Sequence, residues 1–240
     1  MGYQATFKRY EIKYMLNAQE KKEILRAMEP HMKLDQYGRT TIRNIYYDTD
    51  TFRLIRNSLD GPIYKEKLRI RSYAEAAPDD PVFVELKKKY DSVVYKRRLV
   101  LSEQQAAECF RKGEALPVDS QITREIEYFR WYYGRLHPAV FLSYEREAYY
   151  ALDGSDFRVT FDENILYREQ DFSLGSKIYG HPLLQRGETL MEVKTSGGIP
   201  LWMSRVLTQN HLYKTSFSKY GAAYRNIINE KTQGGLSYAG

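Results

Sequence analysis

Cysteine is nearly absent: Cys109 is the only one in 240 residues. An intrachain disulfide and a cysteine-based metal site are therefore excluded, and the usage matches a reducing compartment. No stretch approaches the ~18 apolar residues of a membrane-spanning helix. Residues Met1 to Arg9 lack the apolar run of a secretory signal, so a cytoplasmic location is expected. The Gly-x4-Gly-Lys-Ser/Thr run of a P-loop is missing, so any nucleotide is held some other way. The four histidines, His31, His137, His181 and His211, fall in segments that read as helix or loop, and none lies on a charged strand. No nucleophile–base triad can be assembled from them.

What the chain does have is charge laid out at strand spacing. Hydrophobic residues make up 42% and charged residues 28%, a balance that specifies a globular fold rather than a disordered chain. Twenty-two tyrosines suit a β-rich fold with a wet interior, since Tyr joins an apolar body to a polar tip. Net charge is +6, and residues 61–100 hold ten Lys/Arg against six Asp/Glu. Most of the excess thus sits in one sixth of the chain, which favours an anionic ligand over an evenly solvated basic surface.

The run Lys67-Leu-Arg-Ile-Arg71 concentrates the pattern. In a strand, side chains alternate faces, so Lys67, Arg69 and Arg71 share one face and Leu68 and Ile70 the other. Such cations stand roughly 6–7 Å apart and repel one another unless an anion lies along them. Val84-Glu-Leu-Lys-Lys-Lys89 repeats the arrangement with Glu85, Lys87 and Lys89. Strands are predicted at 5–16, 42–47, 64–73, 82–90, 93–101, 139–151, 157–162 and 189–195. Helices are predicted at 18–32, opened by an Asn17/Glu20 capping box, from Ser102 to Gly113, at 119–134, at 200–209 after Pro200, and at 219–229 after Ser218. A helical turn covers 51–58, a loop spans 171–187, and 230–240 reads as a disordered tail.

Eight antiparallel strands suffice to close a barrel. The fold class is therefore α+β, an eight-stranded antiparallel β-barrel with flanking helices, in one domain over 1–229. With cations alternating along most strands, its interior is expected to be wet and basic. Glu-x-Lys recurs on one strand face at Glu11/Lys13, Glu85/Lys87 and Glu192/Lys194. Each Glu either neutralises its neighbour or holds a divalent metal against phosphate oxygens. Phosphoryl transfer needs positioning, charge neutralisation and a metal, and this set supplies them. A nucleic-acid partner is not expected, because the tyrosines fall mostly on faces opposite the Arg/Lys.

Short runs in a fixed order carry a resemblance: Arg-Tyr-Glu-Ile-Lys-Tyr14, Tyr-Tyr-Asp-Thr49, Leu-Arg-Ile-Arg71, Val-Glu-Leu-Lys87, Tyr-Lys-Arg-Arg98, Tyr-Glu-Arg-Glu-Ala148, Arg-Val-Thr-Phe-Asp162, Glu-Val-Lys194 and Ser-Lys-Tyr220. Over residues 6–228 the chain resembles the triphosphate tunnel metalloenzymes, a CYTH-like superfamily, and within them the VTC-type polyphosphate polymerase domains. The resemblance implies a tunnel that binds triphosphate or polyphosphate with Mg²⁺ or Mn²⁺. It implies that Lys13, Arg69, Arg71, Lys87, Lys96, Arg146, Arg158 and Lys219 grip phosphates at the reaction centre. It further implies that Lys67, Lys194, Arg98, Glu11 and Glu85 contribute to substrate binding and that Glu192 is the metal ligand. Hydrolytic and cyclase members resemble Glu-x-Glu-x-Lys in the first strand, whereas this chain reads Arg9-x-Glu11-x-Lys13. A cation in place of a carboxylate tilts the expectation from hydrolase to polymerase, with ATP as donor, polyphosphate as product and ADP leaving. A triphosphatase of the same fold and a non-catalytic polyphosphate binder are the alternatives. A membrane-protein partner that receives the product is compatible with this reading but is not indicated by the residues.

Overall fold

The computed structural model describes residues 10–91 and 93–236, with side chains as far as Thr232. In chain order its elements are β1 (Tyr10–Leu16), α1 (Ala18–Met28), β2 (Met32–Leu34), β3 (Thr40–Asp48), α2 (Arg53–Leu59), β4 (Tyr64–Ser72), β5 (Pro81–Tyr90) and β6 (Val93–Ser102). There follow α3 (Glu103–Lys112), α4 (Gln121–Tyr133), β7 (His137–Ala151), β8 (Arg158–Arg168), β9 (His181–Pro182), β10 (Thr189–Thr195), α5 (Leu201–Gln209) and α6 (Lys219–Leu236).

The class is α+β with a sheet-rich, antiparallel body, as the sequence predicts. The strands pair in the order β1-β10-β8-β7-β3-β4-β5-β6, with β2 on β7 and β9 on β8. The sheet therefore has ten strands rather than eight, and the two extra ones are very short. Among the described residues these ladders do not complete the ring of a closed barrel. No helix among the described residues is long and apolar enough to cross a membrane.

The chain forms two compact units. The first comprises Met1–Thr41, Tyr144–Ile165 and Leu184–Phe217, and the second Ile42–Ser143, Leu166–Leu183 and Ser218–Gly240. In the first unit, β1, β10 and β8 turn Tyr14, Leu16, Val159, Phe161, Met191 and Val193 toward Ile24 and Met28 of α1 and Met203, Val206 and Leu207 of α5. In the second unit, Leu68, Ile70, Val84, Leu86, Leu99 and Leu101 pack against Ala106, Cys109 and Phe110 of α3 and Ile126 and Phe129 of α4. Each unit is thus a sheet whose apolar face is covered by helices. Strand alternation sends the intervening charged residues to the other face.

Local signals explain most of the element boundaries. The Asn17 side chain accepts from the backbone of Gln19 and Glu20, each at 2.9 Å, and Glu20 returns the bond to Asn17 N at 2.7 Å. Ser102 and Gln105 form the second capping box, and α3 stops at left-handed Gly113, with Cys109 and Phe110 buried as expected. Helix α1 ends at Met28, short of the predicted 32, because Pro30 cannot continue a helix; residues 29–31 form a turn and Met32 opens β2. Strand β8 runs on to Arg168 rather than stopping at 162. Left-handed Asn164 (φ 49°) shifts the in–out phase there, so the simple alternation that marks a strand is lost at that point. His137 and His181 lie in strands, contrary to the helix-or-loop reading, each at the first position of its strand. Helix α6 continues to Leu236 through the segment read as the start of a tail, and residues 237–240 lie outside the described ones.

Asp48, fully buried at the end of β3, pins the second unit's elements to each other. It accepts from the backbone N–H of Thr49 at 2.8 Å, Leu54 at 2.8 Å and Ile55 at 3.0 Å, and from the Tyr220 hydroxyl at 2.8 Å. It thereby caps α2, whose own N-cap residue, Phe52, makes no side-chain cap bond, and it fixes the first turn of α6. Asp48→Ala is expected to lower unfolding stability by about 3 kcal/mol, because it orphans buried donors in both helices, and Tyr220→Phe by about 1 kcal/mol. Urea unfolding of the two variants checks this; equal losses, or none, would contradict the assigned role.

Candidate phosphate-binding site

The charged face of the second unit is organised around Glu85, the carboxylate of β5 whose side chain is 1% exposed. Register places Arg69 of β4 on one side of it and Arg98 of β6 on the other. Arg69 Nε donates to Oε2 at 2.8 Å; Arg98 Nε and Nη2 donate to Oε1 at 2.9 and 2.6 Å; Lys96 Nζ stands 2.6 Å from Oε1. Arg71 Nε lies 3.9 Å from Oε2 and is held by Asn44 Oδ1 at 2.9 Å, while Asn44 donates to Leu142 O at 3.1 Å. Arg69 Nη1 also donates to the Tyr46 hydroxyl at 2.9 Å. Four cations thus surround this one carboxylate.

These charges move the titrations. Burial alone would raise the Glu85 carboxyl, but Arg69, Arg71 and Lys96 hold it well below the usual carboxylate range. Lys96 is lowered to about 8 by burial and by Arg98 and Arg69, against the opposing pull of Glu85. One step along the strands, Lys67, Lys87 and Lys96 stand abreast in register. Lys67 Nζ donates to Ser218 Oγ at 3.1 Å, and the same hydroxyl accepts from Gly221 N at 3.2 Å. Lys219 opens α6 beside it, so a helix N-terminus, which favours anions, joins this lysine set.

The charged face of the first unit is richer in carboxylates. Register aligns Lys13 with Glu192 and Thr160, and Glu11 with Lys194 and Arg158. Glu192 lies 3.7 Å from Lys13, 3.4 Å from Arg146 and 3.1 Å from Lys194. Lys13 also meets Glu11 at 3.3 Å and donates to Phe217 O at 2.8 Å. Arg146 is gripped bidentately by fully buried Asp162, at 2.6 Å for each bond, and stays protonated well beyond its ordinary range. Arg158 is exposed at the strand end.

The donor chemistry fits a hard divalent cation of the Mg²⁺ or Mn²⁺ kind. Glu192 and Glu11 converge on a single lysine, and Thr160 Oγ1, across from Glu192, is buried without a hydrogen-bond partner among the described residues. No group of three or more His, Cys, Asp or Glu suited to a metal occurs among the described residues. The fit is therefore to an ion that brings phosphate oxygens and water as its remaining ligands.

The residues implied by the family resemblance lie on the strands of these two faces, except Lys219, which opens α6. Arg9, the distinguishing cation of the first strand, lies outside the described residues. Asp162, Tyr46, Asn44, Thr160 and Ser218 were given no site role from the sequence. Asp162 could have been found, since it keeps step with Arg158 and Thr160 along β8. Three tyrosines are exceptions to the placement expected for most of them: Tyr46, Tyr73 and Tyr144 sit against Arg69, Arg71 and Arg146, with centroid distances of 5.8, 5.8 and 5.2 Å. These rings wall the guanidiniums and so restrict their motion.

The VTC domain family matches residues 8–228. The chain belongs to that family. No curated protein sequence matches this VTC domain. Among solved structures, a candidate adenylate cyclase from Bacillus halodurans is similar at TM-score 0.55 and 14% identity, over 90% of this chain and 96% of that one. A candidate adenylyl cyclase from Hippeastrum, described as having a dominant triphosphatase activity, gives 0.54 and 16%, over 90% and 94%. One from Vibrio parahaemolyticus gives 0.50 and 12%, over 92% and 99%. At these identities the likeness establishes a shared fold.

The Glu85 cluster makes a distinct prediction. Glu85→Gln leaves four cations facing one another, so it is expected to lower the melting temperature at neutral pH, and added tripolyphosphate is expected to restore much of the loss. Because the folded carboxyl is held low, its stabilisation is full above the ordinary carboxylate range and fades as pH falls through and below it. The variant should therefore show a shallower acid limb. Thermal melts with and without tripolyphosphate decide the matter; a loss that the anion does not relieve would show that the cations are not a phosphate site.

Proposed function

We propose that this VTC domain is a metal-dependent polyphosphate polymerase that takes ATP as phosphoryl donor. A terminal oxygen of the growing polyphosphate attacks the γ-phosphorus of ATP, the bond from that phosphorus to the β,γ-bridging oxygen breaks, and ADP leaves with the bonding pair. What supports this reading is the convergence at Glu85, where Arg69, Arg71, Lys96 and Arg98 from the two flanking strands meet one buried carboxylate. Preset cations of this kind stabilise a transferring phosphoryl group without reorganising at the moment of reaction.

In this reading the arginines fork onto phosphate oxygens and the lysines supply movable point charges. Lys67 and Lys219 receive phosphate at the α6 N-terminus, and Lys87 continues the row. On the other face Lys13, Arg146, Arg158 and Lys194 bind phosphate. Glu192, Glu11 and the Thr160 hydroxyl hold Mg²⁺ or Mn²⁺, which supplies charge neutralisation to the phosphates. Glu85 and Asp162 act as positioning residues. The eight-stranded tunnel that the resemblance implies belongs to this same proposal. A single cysteine, too few for an intrachain disulfide, supports the cytoplasmic location in this reading.

Incubation of purified protein with ATP and Mn²⁺ tests the reaction. Long polyphosphate ladders on a gel are expected; orthophosphate release alone would make it a triphosphatase, and tight polyphosphate binding without turnover a binding module. Glu192→Gln is expected to abolish metal-dependent turnover while retaining tripolyphosphate binding, and unchanged turnover would move the metal elsewhere.

The lowered Lys96 gives a pH signature. Its ammonium is intact below about 8 and is lost as pH rises through that value. A bound phosphate raises it again, so tripolyphosphate affinity should fall across this range and binding should take up a proton. Calorimetry in buffers of different ionisation heat reads both effects. Lys96→Arg should flatten them, and a wild-type profile without proton uptake would remove Lys96 from the site.

A further inference from the structure

In the second unit, the face of β4 opposite the phosphate row bears a cavity that the proposed chemistry does not use. Tyr64 and Glu66 alternate with Lys67 and Arg69 along β4 and so point the other way. There, α2, α4 and the β4–β5 pair enclose a cavity of about 340 Å³, within the size range of small-molecule sites.

Its walls are aromatic. Tyr128 and Tyr132 of α4 are 61% and 53% exposed, and their rings lie near-parallel with centroids 6.3 Å apart. Buried Glu66 has both carboxylate oxygens engaged, by the Tyr64 hydroxyl at 2.5 Å and the Tyr133 hydroxyl at 2.9 Å. Lys88 lies 3.9 Å from Glu66 and 3.7 Å from Glu125. The acidic charge is therefore answered internally, and it locks two of the phenols in place.

The remaining cations differ. Arg53 lies over Tyr132 at 5.7 Å and Tyr133 at 5.3 Å, yet its guanidinium has no hydrogen-bond acceptor or carboxylate partner among the described residues. Lys65 shares by alternation the face of Lys67 and Arg69, but it lines the cavity and its Nζ reaches the Ser58 carbonyl of α2, at 3.4 Å; it likewise has no carboxylate partner among them. The exposed Asn57 amide lines the same cavity. A fork held flat on tyrosine rings, a second unneutralised cation and an open aromatic wall suit one ligand chemistry: a flat ring that carries an anionic arm. A cationic ligand would meet two positive charges and no open carboxylate.

We propose that this cavity is a nucleotide site separate from the phosphate clusters, with the base against the tyrosines of α4 and the phosphate on Arg53 and Lys65. The proposal does not depend on the polymerase reading. The probe is AMP, which has no phosphoanhydride bond and so cannot be a donor. Titration of the full chain is expected to show saturable binding that persists under saturating tripolyphosphate. Tyr132→Ala and Arg53→Met, both at exposed positions, are expected to weaken it about ten-fold. In the unaltered protein, AMP is expected to protect Tyr128 and Tyr132 from nitration, a readout that needs no variant. Displacement of AMP by tripolyphosphate, absence of saturable binding, wild-type affinity in both variants, or nitration indifferent to AMP would each overturn the proposal.

Discussion

Mutual repulsion among like charges sets the problem that this fold solves. Arg69, Arg71, Lys96 and Arg98 project from neighbouring strands onto one face, where they converge on buried Glu85. A buried carboxylate with several donors is stable because each oxygen is fully engaged; a buried carboxylate with none would protonate. By taking bonds from both flanking strands, Glu85 holds the guanidiniums in fixed orientations. In the proposed reading this presets the cations for an anion, through electrostatics rather than backbone strain.

The two units apply the same construction in different proportions. Around Glu85, cations outnumber carboxylates four to one. Around Glu192, carboxylates from three strands, Glu192, Glu11 and Asp162, stand among Lys13, Arg146 and Lys194. The first composition suits oxygen-rich anions directly; the second suits an anion accompanied by a hard cation. The folding logic is common to both: an apolar sheet face under helices, and a polar face released from packing duty and free to specialise.

The strand faces were legible because alternation is a local rule. Lys67-Leu-Arg-Ile-Arg71 declares its apolar and charged sides without reference to the rest of the chain, and the observed register bears that out at Arg69 and Glu85. The two capping boxes were legible for the same reason, since all their groups lie within four residues. What escaped is what distance in sequence conceals. No pattern near Arg146 announces that Asp162 will clasp it, and none near Lys67 points to Ser218. The extension of β8 was hidden by one left-handed residue, Asn164, which shifts the alternation on which strand reading relies. The count of eight strands missed β2 and β9 because two or three residues are too few to display a period.

The Tyr220–Asp48 bond and the Lys67–Ser218 bond each span most of the chain, with separations of 172 and 151 residues. A ribosome delivers Asp48 and Lys67 long before it delivers their partners, at about 5–20 residues per second. During that interval the lysine row lacks the helix that completes it. Neither bond can form until the 218–220 segment has been synthesised, so the order of synthesis sets when Asp48 and Lys67 acquire these partners.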